Sequence, residues 1–155
     1  MRKFGLLTLA LTLAMVGCGE QNARLTPTGA PSLIGEWNCK PSFNPRNNIN
    51  VTYKADGTSS SDWEIYEGGD LGDLFIFKFH MINEYQLVGK TLKENTIKIT
   101  QKEILLNGEP MDMDLTKDLE SDFGGYDEAH VMSMSDNEIV FGNVAENATC
   151  IRVVD

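Results

Sequence analysis

The chain has 155 residues, a length that suits one domain. Its 13 Lys and Arg stand against 23 Asp and Glu, a formal net charge of −10. That balance argues against nucleic acid as a partner and against adhesion to anionic headgroups, and is compatible with a basic protein partner. The chain opens "MRKFGLLTLALTLAMVGC", with Arg2 and Lys3 ahead of an apolar run over 5–16. The run is too short to span a bilayer permanently, so residues 1–17 read as an export signal.

Cys18 directly follows Gly17, and Val16-Gly17-Cys18 resembles the lipobox of bacterial lipoproteins, with Met15 where that family prefers Leu. The resemblance implies cleavage before Cys18, diacylation of its thiol and acylation of the new amino terminus. Gly19, rather than Asp, implies outer-membrane sorting. Several acyl chains anchor stably where one does not. The expected location is therefore the cell envelope; a plain signal peptide containing a cysteine is the alternative. Residues 18–32 hold two prolines and little that is apolar, and read as a lipidated cysteine and flexible tether, with the folded domain over 33–155. With Cys18 lipidated, Cys39 and Cys150 remain. An exported pair is expected to form a disulfide, the alternative being two buried free thiols. Removing Arg2 and Lys3 from the 13 basic residues leaves 11 against 23, a balance of −12.

Strand signals dominate from Leu33. In "NINVTYKADGTSSSDWEIYE", Ile49, Val51 and Tyr53 share one face, and Trp63 and Ile65 carry the apolar face after the turn. A two-residue Asp56-Gly57 loop would set Trp63 against polar positions. A three-residue loop, Ala55-Asp56-Gly57, sets it against Ile49 and places Gly57 where a left-handed residue is needed. In "LFIFKFHMI", Phe75, Phe77, Phe79 and Met81 alternate with Lys78 and His80; Tyr85 and Leu87, then Ile97 and Ile99, continue the series. Apolar parity switches at 101–103, which predicts a bulge or break. Asn107-Gly108 is a hairpin signal that pairs Ile104 with Met111. Residues 115–123 carry Leu115, Leu119 and Phe123 at helical spacing. Asp136-Asn137 turns "HVMSM" onto "EIVFG", pairing Met134 with Ile139 and Met132 with Phe141.

The expected architecture is all-β: eight or nine antiparallel strands in sequential hairpins and one short helix, forming an up-and-down barrel or a sandwich. Positions 37 and 152 have the same sum as 39 and 150. One antiparallel register therefore sets Trp37 opposite Arg152 and Cys39 opposite Cys150. Such a pairing of the first and last strands would close the sheet. Ile151 and Val153 would then face outward and need cover.

Gly35-Glu36-Trp37 in the first strand, a meander, and Arg152 in the last resemble the lipocalin-like (calycin) barrels. There a G-x-W tryptophan at the closed end packs beneath a late basic residue. The resemblance implies a small barrel closed by Gly35, Trp37 and Arg152, in a family without assigned function.

Chemistry is sparse. His80 and His130 are the only histidines, and no nucleophile elbow, metal-binding histidine pattern or phosphate loop is present. The acidic run Asp118, Glu120, Asp122 does not fit a calcium loop, whose glycine would fall at Phe123 and whose closing glutamate would fall at Ala129. The sequence thus points to a non-enzymatic binding module with no catalytic residue, metal or cofactor. Tyr53, Trp63, Phe75, Phe77, Phe79, Met132 and Met134 are candidates to line a site for a small apolar ligand; a packed core is the alternative. A second reading is a protein-binding module, such as a periplasmic inhibitor or immunity protein, meeting a basic partner through acidic residues 112–128.

Overall fold

Alternation with period two makes most of this chain strand, and its glycine turns make consecutive strands neighbours. The computed structural model describes residues 31–69, 72–143 and 145–154. Residues 1–17, read above as an export signal, Cys18, and residues 19–30 of the expected tether lie outside the described residues. Among those described are β1 (Gly35–Pro41), β2 (Asn48–Tyr53), β3 (Thr58–Gly68), β4 (Leu74–Val88), β5 (Thr91–Leu106), β6 (Glu109–Pro110), α1 (Thr116–Phe123), β7 (Gly125–Met134), β8 (Glu138–Gly142) and β9 (Asn147–Arg152).

All pairings are antiparallel. Eight strands close a ring in which β1 meets both β2 and β9, and β5 meets both β4 and β7; β6 is an extra two-residue strand on the end of β5. The fold is thus a barrel and not a sandwich. Closure follows the expected register, with Trp37 opposite Arg152 and Cys39 opposite Cys150. The β2–β3 turn has the expected three residues: Lys54 donates to the Thr58 carbonyl at 2.9 Å, Gly57 takes φ +84°, and Ile49 faces Trp63. The helix covers Thr116–Phe123 and buries Leu119.

Bulges account for the departures from simple alternation. The expected break in β5 is present: Lys78 pairs with Glu103 but Phe79 with Gln101. A second shift, between Ile82–Lys98 and Asn83–Thr96, strands Ile97. Ile97 is 55% exposed and does not join the inward series with Ile99. A third corrects the β7–β8 pairing. Met134 meets Ile139 as expected, but Val131, not Met132, meets Phe141, and Val131 is the residue buried. An extra residue in one strand flips every later side chain to the other face. Ile151 and Val153 do face outward, but neither loop nor helix covers them; they remain 49% and 47% exposed.

The strands differ in length, and that divides the interior. β7 pairs with β5 only over Thr91–Thr96. Beyond that point β3, β4 and β5 run on as an arm, with α1 packed on its inward face. Buried residues therefore form two clusters. The first, inside the barrel, includes Leu33, Trp37, Cys39, Val51, Tyr53, Leu92, Val131, Ile139 and Cys150. The second, under the helix, joins Phe79, Met81, Ile99 and Leu119, with Trp63, Ile65 and Phe123 against them.

Candidate functional site

Three places in the molecule concentrate distinctive side chains. At the closed end, the Trp37 indole donates to the Leu33 carbonyl at 2.7 Å, and the Arg152 guanidinium lies 4.0 Å from the ring centroid. Arg152 also donates to the carbonyls of Ile34 (2.8 Å), Ser32 (2.6 Å) and Asp136. A β-carbon at Gly35 would collide with that guanidinium, and Gly35 takes φ +133°. This explains the G-x-W pattern physically: the glycine leaves room for the arginine that covers the tryptophan. Cys39 and Cys150 are joined by a disulfide, their Cα atoms 3.9 Å apart.

At the waist, β3 and β4 turn small polar residues inward. Ser59 and Ser61 are 1% and 4% exposed, and Asn83, directly opposite Ser59, is 5% exposed. Ser59 donates to the Glu94 carboxylate at 3.2 Å, and Ser61 accepts from the Trp63 indole at 2.8 Å. Burial pushes the Glu94 carboxyl above the ordinary glutamate range, although hydrogen bonds from Ser59 and Asn83 work against the shift. Tyr53 is pushed well above the usual phenol value by burial, then by Glu94 and Tyr85. The Tyr53 and Tyr85 rings meet edge to face at 4.9 Å, and the Tyr85 hydroxyl donates to the Lys54 carbonyl at 2.6 Å. The sequence carried a signal for this cluster, Ser59 and Ser61 at inward positions of an apolar series, but it gave no sign that Asn83 and Glu94 would converge there.

Along the arm, aromatic rings stack in sequence. Trp63 lies parallel to Phe79 at 5.6 Å, and Phe123 from α1 meets both, at 5.7 and 5.1 Å. Farther out, Phe75 and Phe77 stack at 6.1 Å with an interplanar angle of 11°, and both are only partly buried. The candidate ligand residues thus occupy separate places. Tyr53 and Met134 belong to the barrel interior, Trp63 and Phe79 to the cluster under the helix, and Phe75 and Phe77 to the far end of the arm, where β4 begins. Met132 sits at the β7 bulge.

Two surface depressions complete the picture. One, of about 210 Å³, lies between the Ile97 bulge and the end of α1, lined by Thr96, Lys98, Glu120 and Gly124. The other, of about 190 Å³, lies over Glu84–Gln86 and Lys93–Asn95 beside Tyr126. On the outer face of the arm, Asp62 pairs with Lys102 and with His80, the latter at 2.9 Å. Partial burial opposes ionisation of Asp62, yet hydrogen bonds from Lys102 and His80 hold it below the usual aspartate range. Among the described residues, no three His, Cys, Asp or Glu side chains cluster as a metal site would require.

The described strands thus form a closed eight-stranded antiparallel meander whose first and last strands are joined beside an arginine-covered tryptophan, an architecture that resembles the lipocalin-like barrels. No family model and no curated protein matches the chain. Among solved structures, a lipocalin-like protein from Bacteroides uniformis is similar: 11% identical, with a TM-score of 0.45, over 78% of this chain and 98% of its own.

Proposed function

We propose that the chain is a lipid-anchored protein of the cell envelope, held at the outer membrane through Cys18 and acting by binding rather than by turnover. Its ligand is a small amphiphile taken at the far end of the arm. The observation that carries this reading is the Phe75–Phe77 pair: two stacked, partly exposed rings on the inward face, beyond the stretch where β7 closes β5. Apolar surface with a few polar groups nearby is what small-ligand sites present. The buried ring of Phe79 and the partly buried ring of Trp63 adjoin the pair along the same face and give it a rigid floor.

The test uses the full chain purified from envelopes in detergent and titrated with a bromine-labelled fatty acid. Saturable quenching of Trp63 is expected, weakened about tenfold in F75A/F77A. Quenching that does not saturate, or that the double variant leaves unchanged, would refute the apolar site. The anchor is tested separately: intact mass should show the acyl additions, and C18A should lose both them and membrane retention.

A further inference from the structure

We infer that the outer face of β4, β5 and β7 carries a second site, a shallow platform for a neutral sugar ring. Glu84 pairs with Asn95 and Asn95 with Tyr126; Gln86 pairs with Lys93 and Lys93 with Glu128. Because Tyr85 and Glu94 point inward, these six side chains share the outer face, in two rows across three strands. Glu84, Gln86, Asn95, Tyr126 and Glu128 are exposed, and Lys93 is half-buried. Two strand spacings separate Glu84 from Tyr126, about 10 Å, which spans one pyranose ring and its hydroxyls. The depression of about 190 Å³ lies on this grid.

Tyr126 is 61% exposed, yet it is not loose. Its hydroxyl donates to the Glu128 carboxylate two residues on, and Lys93 Nζ holds the same carboxylate at 3.2 Å. Those contacts lay the ring along its strand and fix it before any ligand arrives, which lowers the entropic cost of binding. Among the described residues, Glu84, Gln86 and Asn95 make no side-chain hydrogen bond, so their planar amides and carboxylate remain available to neighbouring hydroxyls. An aromatic face suits the C–H face of a pyranose, and planar polar groups at the rim suit its equatorial hydroxyls. The charges, two carboxylates against one ammonium, disfavour phosphorylated or uronic sugars and select a neutral one.

The experiment is native electrophoresis of the full chain, in a detergent without a sugar headgroup, through gels holding hydroxyethylcellulose, xylan, galactomannan or glycogen. Retardation by at least one polymer is expected. Tyr126→Ala should weaken it about tenfold with the melting temperature unchanged, and Tyr126→Phe, which keeps the ring but frees it, should weaken it less. Passage through all four gels without retardation, or equal retardation of wild type and Tyr126→Ala, would overturn the inference.

Discussion

The closed end of the barrel and the arm under the helix bury similar kinds of side chain by opposite means. At the closed end, residues from the two ends of the domain are fastened by a disulfide spanning 111 positions and by the arginine laid over Trp37. In the arm, the connection is local: β3, β4 and β5 are consecutive hairpins, and a single eight-residue helix supplies the cover. The first region depends on contacts that cost much chain entropy to form, so a covalent link matters greatly there. The second has cheap contacts but one thin layer over them. We therefore expect the arm to open locally before the barrel does.

Four measurements break or sharpen this contrast. The largest effect should come from C39A/C150A: a loop of that length implies a loss of about 4–5 kcal/mol in the chain-entropy model, read as a drop in global melting temperature. Hydrogen exchange of α1 relative to β1 should be nearly level in that variant, because the closed end has lost its advantage. Phe79→Ala should cost about 3–5 kcal/mol by emptying the centre of the aromatic stack. Its signature is faster exchange and proteolysis at 116–123, with β1 and β9 still protected. Uniform loss of protection would show instead that the two clusters unfold as one.

Arg152→Ala should be milder. It removes a cation–π contact of about 0.5–2 kcal/mol, and the three carbonyls it leaves lie near solvent. Near-ultraviolet circular dichroism from Trp37 reports the change. The smallest effect concerns Glu94, and its sign is opposite. The folded carboxyl holds its proton more tightly than the unfolded one, so its contribution is full below the ordinary glutamate range and is lost as pH rises through the folded value. Glu94→Gln should therefore raise the melting temperature at neutral pH by a few degrees, with the gain vanishing towards pH 4, about the ordinary glutamate value. No gain at neutral pH would mean that Glu94 is solvated, and a gain independent of pH that its charge is not the cause.

The seam between the chain ends was legible because equal index sums at two pairs of side chains specify one antiparallel register. The β2–β3 loop and the β5 break were legible from parity alone. Met132 and Ile97 were not: a bulge changes the pairing count between two strands, and neither strand records its partner's extra residue. The waist cluster was legible only in part: Ser59 and Ser61 fall at inward positions of their strand, but Asn83 and Glu94 are ordinary polar residues until three strands turn them to one point.

By itself, then, the sequence determined the all-β character, the order of hairpins, the late helix and the closing pair of strands, because each depends on side-chain period or on turn chemistry within reach of a few residues. Only the tertiary structure decided that the interior divides in two, that the aromatic candidates occupy different places, and that a partly buried carboxyl, Glu94, joins the polar cluster at the waist. Those features follow from unequal strand lengths and bulges, which set where β7 leaves β5, and no local pattern encodes that point.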